Sequence, residues 1–175
     1  MRSLLHHTPY KIPCILILMM FIPSVSAIET KTPSSVYKFQ LTMAKRGNPQ
    51  SQYNLAMMHE MGLVVEQNTA EAKTWYIRSA SQDYKPAIDR LIYLDLKING
   101  NKEKHKDWLK QIKRDADIGD GEAMLLIGQM YADGVGFQKD LIKAGAYLQK
   151  AVASDIAGSE RALAKVDTEI NMRKR

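Results

Sequence analysis

The sequence predicts an all-α fold, a right-handed α-solenoid of helix–turn–helix repeats with a capping helix at each end. Three observations predict it. Leu55, Leu91, Ile127 and Leu163 recur at a constant step of 36 residues, and three more series keep that step: Phe39, Trp75, Gln111 and Tyr147; Ala44, Ala80, Ala116 and Val152; Gly47, Asp83, Gly119 and Asp155. Within each period the apolar residues fall at helical spacing. Each period also contains a glycine-bearing break between two such stretches. Units repeated at this length bury a face only against the next unit, so they build an extended surface and not a closed pocket. That favours binding over catalysis.

The first 27 residues read as a secretory signal peptide, because Arg2 and Lys11 precede the apolar run Cys14 to Phe21 and Ile22, and Val25-Ser26-Ala27 offers a small-residue cleavage site. The run is far short of the roughly 20 residues that span a bilayer, so no stable membrane span is expected after cleavage. Residues 28–33 form a short leader. The repeat domain occupies 34–170, with units near 47–82, 83–118 and 119–154, and a basic tail over 171–175 is expected to fray. Cleavage removes Cys14, the only cysteine, so the mature chain must be held by packing and not by disulfides. It also removes Arg2 and Lys11 while all 19 acidic residues remain, lowering the formal charge from +6 to +4. A mildly basic chain in an exported compartment is not expected to bind nucleic acid.

Eight helices are predicted, near 34–46, 49–61, 69–82, 85–97, 103–117, 121–133, 140–154 and 157–171. In the third unit Ala123, Ile127, Met130 and Tyr131 share one helix face, and Gly134-Val135-Gly136 ends that helix. Asp140 then serves as N-cap for Ala144, Tyr147, Leu148 and Ala151. The first unit repeats this with Leu55, Met58 and His59, a break at Gly62, Asn68 as N-cap, then Ala72, Trp75, Tyr76 and Ala80. In the middle unit Pro86 suits a first helical turn, the glycine of the break comes late at Gly100, and Trp108 stands where the other units have Ala72 and Ala144. Gln111 takes the place of Trp75 and Tyr147, so the ring of Trp108 is expected to refill that gap from the neighbouring turn. Gly128 and Gly145 lie inside helices, where glycine costs about 1 kcal/mol relative to alanine. Both are read as sites of close helix approach.

The stretch from Gly119-Asp120-Gly121-Glu122-Ala123 through Ile127-Gly128-Gln129-Met130-Tyr131 and Gly134-Val135-Gly136 to Asp140 and Lys143-Ala144-Gly145-Ala146-Tyr147 resembles a Sel-like repeat, a relative of the tetratricopeptide repeat. Residues 53–58 and 72–80 resemble it as well, with Val64 in place of the second turn glycine and Asn68 in place of the aspartate. The middle unit matches only by spacing and a few apolar positions. The resemblance implies an α-solenoid adaptor in protein assemblies, often in the bacterial envelope. Some exported members bind or hydrolyse β-lactams; those are disulfide-linked, and this mature chain has no cysteine.

Chemistry-bearing patterns are sparse. Ser35-Val36-Tyr37-Lys38 fits S-x-x-K, but no S-D-N follows and Lys73-Thr74-Trp75 lacks the glycine of K-T-G, so Ser34 or Ser35 reads as an N-cap. His59 and His105 stand on different units without H-E-x-x-H spacing, and His59, at the place of Tyr131, reads as a polar-tipped core residue. Asp115, Asp117 and Asp120 miss the spacing of a calcium loop. No catalytic residue, metal site or cofactor is predicted. The structural repeat positions are Leu55, Gly62, Trp75, Ala80, Leu91, Trp108, Gly128, Gly134, Gly136 and Tyr147.

At about 100° per residue, the side of the leading helices opposite the core carries Tyr53, Met57 and Glu60, then Asp89, Tyr93 and Leu96, then Leu125, Gln129 and Ala132. This makes an apolar strip on the concave surface, suited to a partner helix or extended peptide where it is exposed; the other reading is that adjacent helices cover part of it. The resulting expectation is an exported, non-enzymatic scaffold that binds envelope proteins from the periplasm or outside the cell. A β-lactam-binding or cell-wall-modifying enzyme and a regulatory inhibitor of a membrane protein are the alternatives.

Overall fold

The computed structural model describes residues 34–174, which hold eight α-helices and no strand. They are α1 (Ser35–Lys45), α2 (Pro49–Met61), α3 (Thr69–Ala80), α4 (Lys85–Asn99), α5 (Lys106–Asp117), α6 (Gly121–Asp133), α7 (Leu141–Ala153) and α8 (Ser159–Arg173). The signal-peptide segment 1–27 and the leader 28–33 lie outside the described residues. The helices follow the predicted spans to within two residues at each end, apart from the start of α5, and three of the differences have a local cause. α4 runs to Asn99 because its left-handed cap is Gly100, two places after the phase of Gly62 and Gly134. α5 begins at Lys106, since a turn occupies 102–105. The tail expected to fray is helical to Arg173, whose guanidinium bonds Glu169 one turn earlier at 2.8 Å.

Helix starts follow the period of the two strong units. Asn48 and Asp120 accept the N–H of Ser51 and Ala123, and Asn68 and Asp140 accept those of Glu71 and Lys143. Each such bond satisfies a backbone donor that the first helical turn leaves free. The middle unit has neither: Tyr84 and His105 stand at the caps of α4 and α5 without a side-chain bond. Pro86, in the first turn of α4, removes one N–H that would otherwise need a partner. The series Gly47, Asp83, Gly119 and Asp155 has a backbone meaning, because all four residues have positive φ, at 93°, 58°, 106° and 55°. Two glycines and two aspartates therefore serve one left-handed turn between units.

α2 packs closely along α3, and α6 along α7. Leu55, Ala72 and Tyr76 fill the first seam and Ile127, Ala144 and Leu148 the second, all fully buried. Gly128 permits the second approach: a Cβ there would lie 2.6 Å from Leu148 Cγ and 3.2 Å from the Ala144 carbonyl oxygen. Gly145 does not share this role. A Cβ there would meet nothing within 4 Å, so its expected packing function is absent.

α4 and α5 are not closely packed. Trp108 replaces the small residue that lets the other two hairpins close, and its indole spans to α4, where Nε1 donates to Asp89 Oδ1 at 2.7 Å. The ring is thus committed to its own hairpin and does not refill the place of Gln111, which stays exposed with its amide on Asp115. Leu91 is consequently only half-buried, unlike Leu55 and Ile127.

Side chains of the leading helices α2, α4 and α6 meet one another, and α8 joins them. α8 follows α7 yet returns to α2: Arg161 donates to the Gly62 carbonyl oxygen at 3.0 Å, and Gly158 fits so tightly that a Cβ there would lie 2.5 Å from Met61 Sδ.

Candidate functional site

Of the two readings of the concave strip, the structure has the covered one. Tyr53, Met57, Asp89, Tyr93, Leu96 and Leu125 are between 1% and 7% exposed, and Ala132 is buried too. Only Glu60 and Gln129 are half-buried. The helical angle identified the right face of each helix, but the curvature of the stack turns these faces toward one another, so the strip becomes a second core layer.

Polar atoms in this layer are paired. Tyr53 donates to Glu122 Oε2 at 2.5 Å, linking α2 to α6. Arg90 reaches Glu60 with Nε and Nη2, both at 2.7 Å, and bonds Gln129 with Nη1. Tyr76 donates to Glu60 Oε2 at 2.7 Å. Burial alone would weaken the charge on Arg90, but the Glu60 carboxylate outweighs it and holds the guanidinium above its ordinary pKa. Burial likewise pushes Glu60 up, and Arg90 reverses this to leave it below the usual carboxylate value. Glu122 lacks a cation in contact, so burial raises it.

Outward of this layer, α2, α4, α6 and α8 enclose a cavity of about 390 Å³. Its apolar lining includes Tyr93, Leu148 and Val166; its charged rim includes Lys97, Asp133, Arg161 and Lys165. Asp133 Oδ2 receives Lys97 Nζ at 2.6 Å and the Tyr93 hydroxyl at 2.9 Å, while Lys165 Nζ stands 3.5 Å from Oδ1. Burial pushes Asp133 up, but the Lys97 and Tyr93 bonds bring it below the ordinary value.

Sequence reasoning missed Lys97, Asp133, Arg161 and Lys165. The signal was the period itself. One further step of 36 carries the strip series 53, 89, 125 to Arg161 and the series 57, 93, 129 to Lys165, both on α8.

The other candidates separate. Ser34 caps α1 by accepting the Tyr37 N–H at 3.2 Å, and Ser35 and Lys38 are exposed. His59 is half-buried against the edge of Tyr37, with its Nε2 3.4 Å from that hydroxyl, and burial lowers its pKa. His105 faces Asp95 at 2.7 Å. Asp115 is held by Lys85 and Gln111, Asp117 by Lys113 and Tyr147, and Asp120 caps α6. Among the described residues no group of three metal-ligating side chains converges.

A family model described as Sel1 repeat matches residues 49–84 and 121–155, the two units with intact caps and close hairpins. The chain carries Sel1 repeats. It is similar to a protective antigen of uropathogenic Escherichia coli strains that displays an SLR fold, at 24% identity over 74% of this chain and 28% of that one, with a TM-score of 0.39. It is also similar to a Sel1 repeat protein from Oxalobacter formigenes, at 27% identity over 74% of this chain and 53% of that one, with a TM-score of 0.39. The chain thus spans about a quarter and about half of these two proteins. No curated protein matches it. In this Sel1-repeat chain the unmatched middle unit is the one that Trp108 props open.

Proposed function

We propose that this Sel1-repeat chain is an exported, non-enzymatic scaffold that binds a protein partner in the cell envelope after removal of residues 1–27. The observation that supports it is the groove between α2, α4, α6 and α8, with its charged rim of Lys97, Asp133, Arg161 and Lys165. Pockets of roughly 300–1,000 Å³ with a few placed polar groups are suited to recognition. The partner engages the rim, since the strip beneath is already packed.

A photo-reactive residue at position 165, compared with one at the exposed Lys150 on α7, tests the site in the native host. Crosslinking to one envelope protein from 165 and not from 150 is expected. Equal labelling from both positions would remove the groove from the reading. Intact mass of the exported protein is expected to correspond to a chain starting at Ile28, and a membrane-bound species retaining Met1 would overturn the export proposal.

A further inference from the structure

We infer that the groove takes an acidic segment of the protein partner, with carboxylates seated among Lys97, Arg161 and Lys165. This rests on the scaffold reading above and names the chemistry of its partner. Arg90 and Glu60 neutralise each other beneath the groove. At the rim three cations face one carboxylate, Asp133, which Lys97 already occupies at 2.6 Å. Lys165 stands 3.5 Å from it, with its side chain 73% exposed. Arg161 is directed at the Gly62 carbonyl, a neutral acceptor, and pairs with no carboxylate among the described residues. The acidic residue further along α8, Glu169, is engaged by Lys139 and Arg173, both at 2.8 Å.

Among the described residues the rim therefore has an excess of positive charge. Tyr93, Leu148 and Val166 beneath the rim are already buried, so the charged rim is what a partner meets. A segment with several carboxylates meets the separate cations of α4 and α8 at once, and opposite potentials across an interface set its specificity and speed of association. Such a segment approaches along the groove, with its carboxylates on the α4 and α8 walls.

The test is a fluorescence titration of the full chain with a labelled peptide of alternating Glu and Leu, its Gln and Leu analogue, inorganic phosphate, and vesicles of anionic lipid. The acidic peptide is expected to bind at least about tenfold more tightly than the Gln analogue. Lys97→Ala with Lys165→Ala should remove that preference, whereas Lys97→Arg with Lys165→Arg should retain it. Lys110→Ala with Lys150→Ala removes the same net charge elsewhere and should change nothing. Equal binding of the two peptides, or an equal loss from the Lys110 and Lys150 pair, overturns the inference. So does full competition by phosphate or a preference for the vesicles. Crosslinking of a partner from position 165 without any acidic preference would defeat this inference and spare the scaffold reading; the reverse outcome would defeat the scaffold reading alone.

Discussion

Arg90 and Glu60, thirty positions apart on α4 and α2, form a bidentate ion pair with both contacts at 2.7 Å and with Arg90 only 3% exposed. The pair joins the leading helices of successive units where Trp108 keeps α4 from closing on α5. Removing one partner leaves a buried charge unpaired, which costs about 3–5 kcal/mol. Arg90→Met is therefore expected to destabilise by that amount in urea unfolding. The double variant Arg90→Met, Glu60→Gln should cost less than the sum of the two singles, because they share one interaction.

The same pair sets an acid dependence. Glu60 has its folded pKa below the ordinary 4.5, so the unfolded state binds more protons as pH falls. Its contribution is fully present above 4.5 and is lost as pH drops through the depressed folded value. Thermal melts across an acidic pH series should show a shallower decline for Glu60→Gln than for the parent. An unchanged slope would assign the acid limb to other carboxylates.

Tyr53→Ala is expected to act on stability before it acts on binding. Truncating a fully buried aromatic side chain costs about 3–5 kcal/mol, and here it also strips Glu122 of its hydroxyl partner. A melt close to that of the parent would show that the strip is not a core layer.

Two helical glycines should respond in opposite directions. Gly128→Ala places a methyl 2.6 Å from the branch carbon of fully buried Leu148, which should destabilise by about 1–3 kcal/mol, with Gly128→Leu costing more. Gly145→Ala meets open space and should stabilise by up to about 1 kcal/mol. Thermal melts of the three variants decide both statements.

Val64 adopts φ 56° at the phase where Gly136 has φ 73°. A β-branched residue in the left-handed region is strained. Val64→Gly should raise stability by about 1 kcal/mol, less whatever the added freedom of the unfolded chain takes back. Chemical denaturation with an unchanged slope would report it.

The period, the eight helices and most of their ends were legible in the residues. These are local matters: Asn48, Asn68, Asp120 and Asp140 cap within three residues, and Gly62 and Gly134 end helices by their own backbone freedom. The departures were also local in origin, since α4 lengthens because Gly100 comes late. The groove was legible only in part. Glu60 and Gln129 were singled out, while Arg161 and Lys165 belonged to the same series one step further on.

What the sequence determined by itself is the repeat, its caps, and which residues share each helix face, because helical periodicity and chain phase depend only on neighbours along the chain. Whether the shared face is a surface or a core depends on the angle between successive units, and that angle is a sum of many side-chain contacts. Gly128 closes one hairpin and Trp108 opens another. With Gly158 packed against Met61, the tertiary structure turns Tyr53, Tyr93 and Leu125 inward and leaves Lys97, Arg161 and Lys165 at the rim.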